Sequence, residues 1–414
     1  MIIEKQTRPG DLQKFVVMLD GTDITNAVTD AQVFQDVFSP NWTANIIVLD
    51  TMNLLMTLPI RPGSRVSVTA QTQMESETDD EKTFEFIVAS IGDKQLVNTG
   101  TYSYVLACVD EVMFKQRAKN VSRGFSDKKV SSIVSTLASE FLGGSVEVTE
   151  TDDSVSLVIP TQSPLDAISW LSKMATKDGA ADFFFFQTDK NKFSFKSFED
   201  MFASEEENIP VTLTNKHMSM TDDKNNPEID YMLNIGQYFF EHFDGVSNMH
   251  SGYYKNTLLS YDLINKSWDK KVFTFGDDCK KDAEMKTWDN PIFEGSENAS
   301  ISFKPKHPGS FGSNKGVMDL SDMWQTSRKS SVQKADQERL IAQMPGGVGT
   351  WKWLGKNITV DLPSQEEQSG EKMDKYRRGR YVVVAIAHMF SKATYAVNLE
   401  MVKKRLNEKQ EGNQ

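Results

Sequence analysis

The sequence predicts a mainly β protein of the α+β class. Runs with the alternation or the β-branched content of strands fill residues 1–112 and return near the C-terminus, while helical spacing is concentrated between them. The clearest pattern is a β-hairpin, in which Tyr381–His388 and Thr394–Met401 flank a polar break at Ser391-Lys392. In its second run every other residue is apolar, which predicts one buried face made of Tyr395, Val397, Leu399 and Met401.

The N-terminal region is predicted to hold six short strands, because turn residues separate its apolar runs. The runs are Phe15–Leu19, Ala31–Val37, Trp42–Leu49, Arg65–Ala70, Thr83–Ile91 and Tyr102–Val109. The acidic stretch Glu75–Glu81 is expected to be a solvated loop tip. Short strands at this spacing predict a barrel or a sandwich over residues 1–112.

Helical spacing begins after Glu111. A first helix is expected to carry its apolar face over Val130–Phe141, with Ser126-Asp127 as its cap. A second helix is expected over Leu165–Lys177, and it opens at Ser163-Pro164 with proline at its first position. The change of period indicates a new domain near residue 112.

The remaining patterns predict further strands and one more helix. Asp182–Gln187 and Lys192–Phe198 are typical of a second hairpin, and Met232–Phe240 is a candidate strand. A third helix is predicted over Lys329–Met344, ended by Pro345-Gly346-Gly347. A second β region is therefore expected to combine residues before and after an insertion.

Bulk properties describe a globular chain. It has 414 residues, a formal net charge of −12 and two cysteines. No run approaches the ~20 apolar residues of a bilayer span, and the N-terminus lacks the pattern of a signal peptide, so no membrane insertion is expected. The few cysteines indicate a reducing compartment, with Cys108 as a small core residue. The negative charge argues against a surface that grips nucleic acid through its phosphates.

No catalytic, cofactor-binding or metal-ligating residue is predicted. The sequence contains no G-x-S-x-G, H-E-x-x-H or C-x-x-C motif. His242, Asp244 and His250 cluster, but their spacing matches no zinc motif, and a surface loop is expected. Gly346–Gly349 follows the predicted third helix and is interpreted as a helix stop. His388 is expected to be structural, because no nucleophile motif lies near it in the sequence.

Several stretches, taken in order, carry a family resemblance. They are Asp36–Phe38 with Trp42–Leu49, Asn53–Leu55, Ile60–Val68, Val130–Leu142, Ile159–Leu171 with Phe183–Gln187, and Gly379–His388 followed by Tyr395–Glu400. Together they resemble the central baseplate hub protein of contractile-tailed bacteriophages, especially the T-even type, and more distantly the hub part of type VI secretion spikes. The resemblance covers most of the chain, while residues 245–325 show no counterpart.

The resemblance implies two tube-type antiparallel β-barrel domains joined by an α+β linking region. The β regions predicted from the residues agree with two barrels: residues 1–112 are taken as the first, 207–244 with 345–405 as the second, and 113–206 as the linking domain. Residues 245–344 become an insertion with a helix, and 406–414 a disordered tail. A homotrimer of such subunits would form a pseudo-sixfold ring that adapts a threefold central spike to a sixfold tail tube.

The same resemblance implies the partners and the location. The partners are the central spike protein, tail tube or tube-initiator proteins, baseplate wedge proteins and the tape measure protein. DNA would pass transiently and non-specifically through an acidic lumen. The protein would be a non-enzymatic part of the virion tail baseplate, assembled in the host cytoplasm.

Two other interpretations remain open from the sequence. The 58 carboxylates and seven tryptophans are compatible with a tail enzyme that degrades cell-wall or capsule polysaccharide, since an acid–base pair can lie anywhere in the chain. A baseplate wedge or adaptor protein is the third interpretation.

Overall fold

The computed structural model describes residues 10–72, 81–152, 154–203, 212–214, 234–242, 244–263, 266–274, 298–306, 321–333, 338–347, 349–362, 374 and 377–403. Strands predominate over helices among these residues, which confirms the predicted mainly β, α+β class. Residues 75–80 of the expected acidic loop tip, Cys279 and the expected disordered tail lie outside the described residues.

The described residues form 21 strands and seven α-helices. The strands are β1 (Leu12–Leu19), β2 (Thr22–Asp23), β3 (Val28–Asp36), β4 (Thr43–Asp50), β5 (Arg65–Thr72), β6 (Glu81–Asn98), β7 (Thr101–Val109), β8 (Val121–Lys129), β9 (Ser145–Val148), β10 (Ser154–Gln162), β11 (Phe183–Asp189), β12 (Lys192–Ser197), β13 (Thr212–Thr214), β14 (Gln237–His242), β15 (Lys255–Asp262), β16 (Ser267–Thr274), β17 (Ile301–Lys306), β18 (Glu338–Pro345), β19 (Asn357–Asp361), β20 (Gly379–Ser391) and β21 (Tyr395–Val402). The helices are α1 (Leu54–Thr57), α2 (Glu111–Gln116), α3 (Val130–Leu137), α4 (Pro164–Met174), α5 (Phe198–Ala203), α6 (Gly245–Ser251) and α7 (Ser321–Gln333).

Thirteen strands form one sheet that contains both β regions. Its hydrogen-bonded order is β14-β18-β21-β20-β3-β4-β7-β6-β5-β1-β2, with β19 on β20 and β13 on β19. Every pairing along the main path is antiparallel, and only β13 with β19 is parallel. The six strands predicted in the N-terminal region are all present, and so is the C-terminal hairpin.

Strand β20 joins the two regions. One edge of β20 pairs with β19 over Gly379–Val382 and with β3 over Ala385–Ser391. A bulge between Val383 and Ala385 separates these two pairings. An irregularity of this kind bends a strand and increases its twist, so β20 can leave one region and enter the other.

The N-terminal region curls until its two ends meet. An isolated bridge joins Asp11 at the start of β1 to Thr394 in the turn between β20 and β21. Beside it, the Tyr395 amide donates to the Gly10 carbonyl at 2.7 Å. Within the described residues this bridge, and not a continuous ladder, links the two ends. The enclosed core contains Val17, Val33, Ile46, Val68, Phe84, Leu106 and Phe390, all buried.

The linking region has a separate core. Strand β10 pairs with β8, and β9, β12 and β11 form a small sheet beside α3 and α4. The second predicted helix is confirmed as α4, where the Ser163 hydroxyl accepts from the Asp166 amide and Pro164 is the first residue. The paired aromatic runs are confirmed as β11 and β12, and Phe183–Phe186 are buried.

The predicted cap of the first helix is wrong. Ser126 and Asp127 lie within β8, and α3 begins at Val130 with no side-chain cap hydrogen bond. Pairing of β8 with β10 continues to Lys129, opposite Ser154. The sheet therefore satisfies the backbone at the position where the sequence suggests a cap.

The third predicted helix is also wrong in its limits. The helix α7 ends at Gln333, and residues 338–345 form β18 instead. In β18, Leu340, Ala342 and Met344 are buried, which is a period of two. Pairing with β14 on one edge and β21 on the other outweighs the helix propensity of these residues. Consequently Gly346 and Gly347 follow a strand and are not a helix stop.

A fourth, three-stranded sheet lies in the region that shows no counterpart in the resemblance. Its order is β16-β15-β17, and it shares no hydrogen-bonded strand with the thirteen-stranded sheet among the described residues. Helix α7 packs on β15 and contacts α4, which fixes this sheet to the linking region. The Arg328 guanidinium strengthens that contact, since it donates to the carbonyls of Ala181 and Phe183 and lies 4.7 Å from the Phe184 ring.

Candidate functional site

The candidate site is one side of eight consecutive strands, β14-β18-β21-β20-β3-β4-β7-β6, which we call the open face. Its residues alternate with the core residues of the same strands and are mostly half-exposed. One cross-strand row runs through all eight strands: Gln237, Gln343, Asn398, Ala387, Phe34, Thr43, Val109 and Ile87. The neighbouring row spans seven strands: Pro345, Ala396, Met389, Gln32, Asn45, Ala107 and Ser90. Neither row contains a charged residue.

Charged side chains collect at one end of the open face. The Arg339 guanidinium lies 2.5 Å from a Glu400 carboxylate oxygen and 3.6 Å from one of Glu241. Burial raises the pKa of the nearby Asp36 carboxyl, while a hydrogen bond from the Phe38 amide and the charge of Arg339 oppose that shift. Sequence reasoning missed Arg339, because it placed this residue on a helix.

Two strand edges bound the open face. At one side, β14 pairs only with β18 among the described strands, and its Phe239 side chain is 55% exposed. At the other side, residues Ala89–Asn98 of β6 extend past β5 and pair only with β7 within the part of the chain described. Leu96 and Val97 on this arm are 63% and 52% exposed. Strand edges with apolar side chains are templates for pairing with another chain.

His388 is buried behind the open face. Its Nδ1 atom lies 2.7 Å from the Tyr395 hydroxyl and its Nε2 atom 3.1 Å from the Gln35 side-chain oxygen. Burial, aided by the charge of Lys82, lowers the pKa of His388 to about 3, so the ring is neutral at physiological pH. With no exposure to solvent, His388 holds β3, β20 and β21 together.

His242, Asp244 and His250 do not form the predicted surface loop, because they belong to a strand and a helix. His242 ends strand β14 and lies 3.4 Å from Glu338, and Asp244 caps α6 by accepting from the amides of Val246 and Ser247. His250 lies in the last turn of α6. Within the described residues no group of three or more candidate ligands is placed to hold a metal ion.

Two further observations concern the Cys108 thiol and the possibility of a membrane-spanning helix. Cys108 is buried in β7 as expected, and burial raises the pKa of its thiol to about 12. Of the helices that the structure describes, none combines the length and the apolarity needed to cross a bilayer.

The arrangement of strands is found in known structures. The tail protein from Neisseria meningitidis MC58 aligns over 94% of this chain and 96% of its own, with a TM-score of 0.55 and 12% identity. The chain has the fold of this tail protein. The 43 kDa tail protein of prophage MuSo2 from Shewanella oneidensis aligns over 95% and 99%, with a TM-score of 0.54 and 11% identity. The resemblance predicted from the sequence is thus confirmed at the level of the fold.

A type VI secretion component from E. coli aligns over 96% of this chain and 78% of its own, with 9% identity. Its TM-score is 0.42, below the level at which a common fold is inferred. No family model matches the sequence. No curated protein matches it either.

Proposed function

We propose that this protein is a structural, non-enzymatic hub of a contractile phage tail baseplate. Three copies form a pseudo-sixfold ring that adapts a threefold central spike to a sixfold tail tube. The observation that carries this proposal is the row of eight antiparallel strands, which has two uncharged rows on its open face and ends, among the described residues, at the edge strand β14 and at the arm Ala89–Asn98 of β6. The tail-protein fold supports the same role.

Strand β14 at one edge and the arm of β6 at the other have the orientation that pairing between neighbouring copies requires. Seven successive antiparallel pairings separate β14 from β6, so β14 of one copy meets β6 of the next in antiparallel orientation. The exposed arm of β6 and strand β14 are staggered along the strand direction, and a closed ring of tilted strands requires such a stagger. Three copies give 24 strands, whose ring is roughly 37 Å across between backbones, or wider when the strands tilt.

The open face lines the lumen in this arrangement, and DNA passes through it without specific contacts. The two rows that cross most of the strands are uncharged, and the Arg339 cation is paired with Glu400. The described part of this surface therefore offers phosphates no unpaired cation, so DNA is not retained. The carboxylates at one end add repulsion, which agrees with the acidic lumen expected from the sequence.

The remaining assignments belong to the same proposal. The two β regions act as the two tube-type barrels, with the domain limits predicted from the sequence except that β18 (Glu338–Pro345) belongs to the second barrel and not to the insertion, and residues 113–206 link them. Partners are the spike, the tail tube or its initiator, wedge proteins and the tape measure protein. The protein is assembled in the host cytoplasm and ends in the virion tail.

The test replaces Leu96 and Val97 by aspartate together. Both side chains are exposed, so the free energy of unfolding should change little, whereas charges on this edge should prevent pairing with β14 of the next copy. Light-scattering mass and negative-stain imaging should show threefold rings with a central hole for the wild type, formed alone or with the spike protein. The double variant should remain a monomer.

The matched control is Val246→Asp, since Val246 on α6 is 74% exposed and lies on neither edge. This control should assemble normally. A wild-type protein that stays monomeric with its spike, or a double variant that still forms rings, contradicts the proposal. Turnover of peptidoglycan or capsule that one carboxylate substitution abolishes would instead support the polysaccharide-degrading enzyme.

A further inference from the structure

The sheet β16-β15-β17 has an apolar side that nothing in the described chain covers, here called the Trp268 face. The strand registers place Trp268 beside Tyr261, and Phe303 beside Leu259, on one side of the sheet. The Trp268 ring lies 4.6 Å from the Tyr261 ring and 5.4 Å from the Phe303 ring. The result is a continuous aromatic surface and not a set of scattered side chains.

The large apolar side chains of the Trp268 face are unusually exposed to solvent. Trp268 is 64% exposed, Phe303 59%, Ile301 53% and Val272 41%. Four large apolar side chains on one sheet face form a patch of the kind that marks an interaction surface.

The opposite side of the same sheet is covered. There the Lys329 ammonium donates to the hydroxyls of Ser300 and Ser302, and the Asn256 amide donates to the Thr326 carbonyl. Helix α7 thus provides the second layer that a sheet of this kind needs. Only the Trp268 face lacks such a layer among the described residues.

The charges on the Trp268 face are of one sign. Of the eleven positions that the registers place on this side, two are lysines, Lys255 and Lys270, and none is aspartate or glutamate. The whole chain, by contrast, carries a net charge of −12. Packing of this face on the same face of a second copy would bring the lysines together and is therefore disfavoured.

We propose that the Trp268 face is a docking surface for a second, different protein whose contacting segment is apolar and carries carboxylates. Aromatic side chains supply most of the contact energy at such interfaces, and the two lysines select an acidic partner. The sheet is separate from the strands that form the proposed ring, so docking here does not require the pairing of β14 with β6. The identity of the partner as a tail protein rests on the proposed function.

The first measurement uses 1-anilinonaphthalene-8-sulfonate, an apolar anion, with the purified full chain. The wild type should bind the probe at this face, and Trp268→Ser with Phe303→Ser should lower the affinity at least tenfold. Lys270→Glu should lower it several-fold while leaving the aromatic surface in place. The control Val158→Ser removes a side chain of equal exposure, 64%, from β10, which belongs to another sheet, and should leave binding unchanged.

The second measurement replaces Trp268 with p-benzoylphenylalanine in cells that produce the complete tail. A crosslink to one acidic, apolar segment of another tail protein is expected, and Lys270→Glu should reduce its yield. A crosslink only within the chain, only to a second copy, or only to lipid overturns the proposal, as does probe binding that the double serine variant retains. If the chain is absent from tails, the proposed function fails. In that case the probe measurement alone tests the docking surface, because the probe shares the apolar surface and the negative charge of the proposed partner segment.

Discussion

The Nδ1 atom of His388 lies 2.7 Å from the hydroxyl of Tyr395, and the same hydroxyl lies 2.9 Å from the Thr350 hydroxyl. The other ring nitrogen faces the Gln35 side-chain oxygen, which can only accept, so Nε2 donates and Nδ1 accepts from Tyr395. This chain of hydrogen bonds connects β3 of the N-terminal region to the C-terminal hairpin. Every atom in it is buried, so each member depends on the next.

Tyr395→Phe should destabilise the fold by about 1–3 kcal/mol, because it leaves the His388 Nδ1 atom and the Thr350 hydroxyl without this partner. Urea unfolding followed by tryptophan fluorescence measures the change. Tyr102→Phe is the matched control, since Tyr102 is only partly buried and should change stability little. Equal effects of the two substitutions would contradict the role given to the Tyr395 hydroxyl.

Acid should weaken the fold in part through His388. Its pKa is about 3 in the folded chain, below the ordinary value of 6.5, so the unfolded chain binds more protons between these values. Stability therefore falls as the pH decreases through this window, by at most about 1.4 kcal/mol per pH unit from this one group. Between pH 7 and pH 5, His388→Gln should show a shallower loss than the wild type in urea unfolding. Parallel curves would show that His388 does not contribute.

Leu399→Asp should prevent the last strand from packing. Leu399 is fully buried in β21, and an unpaired buried carboxylate costs about 4 kcal/mol or more. The expected result is insoluble or unfolded protein in expression and circular dichroism measurements. Gln343→Glu, at the exposed open-face position of β18 opposite Asn398, should give soluble, folded protein. Soluble and correctly assembled Leu399→Asp protein would mean that the buried side of β21 is misassigned.

Gly346→Ala should be destabilising because the added Cβ would overlap the Tyr395 ring. Overpacking of this kind costs about 1–3 kcal/mol, and the backbone cannot shift freely since the Gly346 amide donates to the Tyr395 carbonyl at 2.9 Å. Thermal unfolding gives the measurement. The control is Gly92→Ala in the exposed arm of β6, where a Cβ meets no atom within 4 Å, and it should unfold at the wild-type temperature. If Gly346→Ala also unfolds there, the close approach is not a constraint.

The sequence by itself determined the fold class, the six N-terminal strands, helix α4 and both hairpins. These elements carry their own signals, namely a period of two, a Ser-Pro helix start and turn residues at fixed spacing. It also determined which side of β21 is buried, since Tyr395, Val397, Leu399 and Met401 alternate with polar or small residues.

Only the tertiary structure decided how these elements combine. Residues 338–345 have the composition of a helix and become β18 because strands on both sides take up their backbone hydrogen bonds. The pairing of β20 with β3 joins residues 349 to 361 positions apart, from Ala385 with Asp36 to Ser391 with Asp30, and no local pattern encodes a contact at that distance. The open face, its Arg339 cluster and its two edges exist only because of these long-range pairings, which is why the candidate site could not be read from the chain alone.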